Sequence, residues 1–125
     1  MKRILSFILT FTLLILFSGS SVVFGDDYQD GVDAYKRKDY KTAYKLWLPL
    51  AEQGNAKAQY NLGVMYAKGR GFPQDYILAH MWLNLSGANG YKRGIKLRNL
   101  AEKKMTASQI EKARELARNW KPKAK

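Results

Sequence analysis

The sequence contains no cysteine. That absence excludes disulfides, a thiolate zinc site, a cysteine nucleophile and a lipid-modified N-terminal cysteine. There is a single histidine, His80, so no site built on two or three imidazoles can form. Acidic residues are scarce: 10 against 22 lysines and arginines, a formal charge of +12. No stretch alternates apolar and polar residues over strand length, so no sheet is predicted. Two chemistry-like features fail on spacing. Gly69-Arg70-Gly71 lacks the third glycine, the Gly-Lys-Ser/Thr ending and the preceding strand of a phosphate loop, and reads as a turn. Asp26, Asp27, Asp30 and Asp33 do not match a calcium loop and read as favourable charge in a first helical turn. No nucleophile, base and orienting group can be assembled, so neither enzymatic activity, a cofactor nor a metal is expected.

The whole chain of 125 residues is enough for one small domain, and 46% hydrophobic content is ordinary for a folded chain. Lys2 and Arg3 precede an apolar run from Ile4 to Phe17, then Ser18-Gly19-Ser20-Ser21 and small residues up to Gly25. A basic start, an apolar stretch and a small-residue exit predict a secretory signal over residues 1–25, and thus a periplasmic or secreted protein. The alternative is an uncleaved anchor, but 14 apolar residues fall short of the ~20 that span a bilayer.

Downstream the chain repeats itself. Asp39-Tyr40-x-x-Ala43 recurs as Asp75-Tyr76-x-x-Ala79, and Gly54 recurs as Gly90, both 36 residues on. Gly31-Val32 recurs as Gly63-Val64 at an offset of 32, so the second copy holds four extra residues, placed in the turn from Gly69 to Gln74. Each copy reads as two helices. Asn55 caps one from about Ala56 to Lys68, with Gly69 as its stop, and Ala58, Leu62, Met65 and Tyr66 form its apolar stripe. Asp75 caps the next, with Ala79, Trp82, Leu83 and Ser86 on one face. In the first copy, Tyr28 to about Arg37 and Tyr40 to about Gln53 play these parts, with Asp39 between them. A third pair follows: residues 91–104 carry Ile95, Leu97, Leu100 and Ala101, and Thr106 with Gln109 forms a capping box for a last helix ended by Pro122. The predicted fold is all-α, six helices in three antiparallel hairpins, organised as residues 1–25, 26–54, 55–90 and 91–125.

The run Ala58-Gln59-Tyr60-Asn61-Leu62-Gly63-Val64-Met65-Tyr66-Ala67-Lys68-Gly69-Arg70-Gly71-Phe72-Pro73-Gln74-Asp75-Tyr76, followed by Ala79-x-x-Trp82 and Gly90, resembles the Sel-one-like repeat, a relative of the tetratricopeptide repeat. The first copy is degenerate, without the Gly-x-Gly loop. The segment Lys104 to Ala113 resembles the closing helix of small exported proteins of this type. The resemblance implies a short right-handed α/α solenoid, a concave face that takes peptides or proteins, and no catalytic residues. It makes Ala58, Leu62, Gly63, Tyr66, Ala79 and Trp82 packing positions. Ser86-Gly87 stands where the family prefers two alanines, so fraying is expected at that helix end.

Function then rests on the variable positions. Tyr35, Gln59, Tyr60, Asn61 and Tyr91 are candidate contacts for a protein or peptide partner, since amphipathic rings and amides suit a binding face. His80 is expected on the surface or in the groove. The charge is uneven: residues 26–90 carry net +1 and residues 91–125 net +9. Glu111–Arg114 and Glu115–Arg118 are expected to pair along the last helix. Lys92, Arg93, Lys96, Arg98, Lys103 and Lys104 remain as a candidate anion-binding set. Export and the lack of interleaved aromatics argue against nucleic acid. The expected function is an exported protein- or peptide-binding module. The alternative is a basic tether to anionic envelope lipid or glycan through residues 91–125. Two repeats and a closing pair are near the lower limit for a solenoid, so docking on a partner or self-association is expected to add stability.

Overall fold

The computed structural model of the chain describes residues 27–124. The predicted leader lies outside the described residues. Six helices follow in order: α1 Asp27–Lys36, α2 Tyr40–Glu52, α3 Ala56–Lys68, α4 Tyr76–Ala88, α5 Lys92–Glu102 and α6 Ala107–Asn119. Among the described residues there is no strand, and no helix is long and apolar enough to cross a membrane.

Local chemistry sets the boundaries. The Asn55 side chain accepts from the Ala58 N–H at 2.9 Å, and the Asp75 side chain from the Leu78 N–H at 3.0 Å. Gly69 closes α3 in the left-handed conformation at φ 65°, which lets the Arg70 N–H return to the Met65 carbonyl at 2.9 Å. The first copy has no such loop, and there Lys38 takes the left-handed turn at φ 65°. The predicted capping box of α6 is present: Gln109 N–H donates to Thr106 Oγ1 at 3.1 Å, and Thr106 N–H to Gln109 Oε1 at 2.9 Å.

Packing is organised around α4, which has α3, α5 and α6 all against it. Seven of its residues are buried, from Ala79 to Ser86. The core joins Ala34, Ala43, Trp47 and Ala51 of the first pair to Ala58, Leu62 and Met65 of α3 and Met81, Trp82 and Leu85 of α4. Close approach is bought with glycine. A side chain at Gly63 would stand 2.6 Å from Leu83, and one at Gly94 would stand 2.6 Å from the Leu83 carbonyl oxygen. Helix α6 lies on α4 rather than on α5, and its Leu116, Ala117 and Trp120 cap the core. The tail then returns to α2: the Lys123 N–H donates to the Glu52 carbonyl at 2.7 Å, and its ammonium pairs with the Glu52 carboxylate.

Three expectations are corrected. His80 is not on the surface. It is fully buried, with Nε2 2.8 Å from Glu102 Oε1, and the same oxygen takes Arg114 at 3.4 Å. That triad ties α4, α5 and α6 together, through partners 22 and 34 residues away from the histidine that no local spacing reveals. Ser86 does not fray the end of α4. It is buried, and its hydroxyl donates to the Ala56 carbonyl at 2.7 Å, while the missing side chain of Gly87 admits Ile95. The cations of α6 pair differently: Arg118 reaches Glu111 at 3.1 Å, Lys112 reaches Glu115 at 3.5 Å, and Arg114 leaves the helix for Glu102.

Candidate functional site

Helices α1 and α3 both lean on α2 and scarcely touch each other. The space between them is a cavity of about 300 Å³, lined by Tyr28, Val32, Tyr35 and Lys36 of α1 and Tyr60, Asn61 and Val64 of α3, with Trp47 of α2 as its floor. Its walls are held in place. The Trp47 indole N–H donates to the Tyr28 carbonyl at 3.1 Å, and the Asn61 amide donates to the Tyr28 hydroxyl at 3.2 Å. Tyr28 and Tyr35 pack on Trp47 with ring centroids 6.1 and 5.8 Å away. Arg70 lies 5.4 Å from the Tyr35 ring and 5.7 Å from the Tyr40 ring, and donates to the Tyr35 hydroxyl.

A second cavity, about 180 Å³, lies between α3 and α5, lined by Ala67, Lys68, Tyr76, Leu97, Leu100, Ala101 and Lys104. It is the repeat equivalent of the first. Of the lining residues, Tyr35 and Lys36 of the first fall on Ala67 and Lys68 of the second at an offset of 32, and Asn61 and Val64 fall on Leu97 and Leu100 at an offset of 36. One face of α1, α3 and α5 thus forms a groove with two pockets. A third cavity, about 410 Å³, involves other elements: Leu48 and Glu52 of α2, Trp82 of α4, and Trp120, Lys121 and Lys123 of the returning tail.

The residues singled out from sequence divide clearly. Tyr35, Tyr60 and Asn61 line the first cavity, and Tyr91 stands edge-on to Tyr60 with ring centroids 5.1 Å apart. Gln59 does not belong with them. It is fully buried, its amide donates to the Ala51 carbonyl at 3.0 Å, and its Oε1 accepts from Asn89 at 3.0 Å, so it is a packing residue. Of the basic set, Lys92, Arg93, Lys96, Lys103 and Lys104 are exposed. Arg98 is half-buried and bonds Asn84 and Asn99. Only Lys104 of this set lines a cavity. The sequence reading passed over Tyr28, Val32, Lys36, Val64 and Lys68. The signal that finds them is the repeat offset itself, applied to every position rather than to the motif.

The electrostatics of the face are one-sided. Nine carboxylates fall within residues 27–124, and none lines either cavity of the groove. The Glu102 carboxyl is held below its ordinary value, chiefly by its hydrogen bond to His80, with Arg114 and Arg98 adding to the effect against the opposing pull of burial. Its carboxylate is thus engaged by His80 of α4 and Arg114 of α6 rather than by the groove. Among the described residues, no three carboxylate or imidazole groups gather as metal ligands.

No curated protein and no solved structure matches the chain. The family model for the Sel1 repeat matches residues 25–55 and again residues 56–91. Repeats of this kind generally mediate protein–protein interaction and are typically non-catalytic. Both matched copies carry the paired helices described above, the first without the Gly-x-Gly loop, and together they cover more than half of the 125 residues: the chain belongs to the Sel1 repeat family.

Proposed function

We propose that the chain is a non-catalytic module that binds a protein segment or peptide in the groove of α1, α3 and α5. The observation that carries this reading is the pair of repeat-equivalent cavities on one face, the first lined by aromatic rings and an amide already fixed in place. Rings held in this way lose little conformational entropy when a partner covers them, which is what makes tyrosine and tryptophan effective anchors. The basic, apolar and small-residue pattern of residues 1–25 supports export, and so a partner in the cell envelope or outside the cell. The exposure of Lys92, Arg93, Lys96, Lys103 and Lys104 favours a second reading, a tether to anionic lipid or glycan through residues 91–125.

Crosslinked capture from envelope extract with the full-length chain tests the first reading against the second. A protein retained at high salt by the wild type and lost by Tyr60→Ala/Asn61→Ala is the expected result. Capture unchanged by that double substitution refutes the groove as the binding face, and retention of lipid or glycan alone, lost at high salt, favours the tether, because exposed charges are screened within about 8 Å at physiological ionic strength.

A further inference from the structure

We infer that the groove is selective for an acidic segment, one whose carboxylates alternate with apolar side chains. The inference rests on the groove reading above and adds the chemistry of its occupant.

The basis is a ladder of lysines. Lys36 and Lys68 are the last residues of α1 and α3 and Lys104 lies two residues beyond α5; the three are related by the repeat offsets of 32 and 36, and each lines one of the two cavities. Among the described residues none of them forms an ion pair. No carboxylate lines either cavity to neutralise them.

A lysine near a helix C-terminus is favourable in any helix, because it faces the negative end of the dipole. What sets these three apart is their place on the cavity walls rather than at a helix end. Basic last turns are found in α1, α3 and α6, at Lys36, Lys68 and Arg118, and not in α2, α4 or α5. Cations also lie elsewhere, on α2, α6 and the returning tail, but only Lys36, Lys68 and Lys104 line the two groove cavities. Between them the surface is apolar: Val32 and Val64 in the first pocket, Leu97 and Leu100 in the second, with Leu100 55% exposed. Lysines at intervals with apolar pockets between them are complementary to acids at intervals with apolar residues between those. A bilayer surface presents anionic headgroups in a plane, and that shape does not enter cavities set between helices.

The probe is a fluorescently labelled peptide in which glutamate alternates with leucine, compared with the same peptide carrying glutamine for glutamate. Binding to the full-length chain is read by anisotropy at low and high salt. Lys68→Glu/Lys104→Glu is compared with Lys41→Glu/Lys45→Glu, which makes the same charge change on α2. The glutamate peptide should bind more tightly than the glutamine peptide, and the α3/α5 double variant should lose about tenfold in affinity while the α2 variant stays near wild type. Equal binding of the two peptides, weakened by Tyr60→Ala/Asn61→Ala, would overturn the acidic preference and leave the groove standing. Equal loss in the two lysine variants would reduce the effect to overall charge and overturn it. Binding by neither peptide would also overturn it. So would a Lys68→Glu/Lys104→Glu variant that loses phosphatidylglycerol vesicles but keeps the glutamate peptide, which would assign the lysines to a membrane surface.

Discussion

Replacing Gly94 by alanine should separate α5 from α4. A Cβ at that position would stand 2.6 Å from the Leu83 carbonyl oxygen, 2.9 Å from the Gly87 nitrogen and 2.9 Å from Ser86 Cβ. An ordinary C–H···O contact lies no closer than about 3.3 Å, so α5 must retreat by roughly 0.7 Å. Two of the three obstacles are backbone atoms of α4, which cannot turn aside as a side chain can. Overpacking of this kind costs about 1–3 kcal/mol, and the rigid partner places Gly94→Ala in the upper half of that range. Alanine returns up to about 1 kcal/mol through its better helix propensity. The net expectation is a loss of about 1–2 kcal/mol. For a domain of this size that lowers Tm by roughly 4–16 °C, measured by circular dichroism on the full chain. Gly87→Ala, on the facing helix, is the internal control. Its Cβ would meet the Ile95 side chain at 2.4 Å, and that side chain can change rotamer, so the loss should be smaller. A Gly94→Ala protein as stable as the wild type, or more stable, would show that propensity outweighs the backbone contact and would refute the close approach of α4 and α5.

Two further outcomes follow from the closing elements. The Glu102 carboxyl is held down chiefly by its hydrogen bond to His80, so its contribution to stability is complete above the ordinary value of 4.5 and is lost as pH falls through the lower folded value. Glu102→Gln should therefore lower Tm near neutral pH and shrink that gap toward the wild type as the solution is acidified; a gap constant with pH would refute the pairing. Trp120 is half-buried over Leu48 and Trp82, and Trp120→Ala should cost about 2 kcal/mol, roughly half of a full tryptophan deletion, with earlier proteolysis of the tail beyond α6. A Tm within about 1 °C of wild type would show that the tail does not clamp the first repeat.

The helices were legible in the sequence because their determinants are local. Asn55, Asp75, Thr106 and Gln109 satisfy backbone groups within three residues of themselves, and Gly69 stops α3 through its own φ. The repeat was legible for the same reason: one packing unit used twice leaves Asp39, Tyr40, Ala43 and Gly54 recurring as Asp75, Tyr76, Ala79 and Gly90, all 36 residues on. The roles of Tyr35, Tyr60 and Asn61 as groove residues were open to sequence reasoning, since they sit at helical spacing yet outside the apolar stripe. What tertiary structure alone decided is what depends on distant partners. Gln59 and Asn61 are two residues apart on one helix, yet one is spent between Ala51 and Asn89 while the other faces the cavity. His80 and Ser86 look like ordinary polar positions until Glu102 and Ala56 are brought to them, because a buried polar group takes whatever partner the packing supplies. Lys36, Lys68 and Lys104 are three unremarkable helix-end lysines in the sequence; only the stacking of α1, α3 and α5 sets them along one groove.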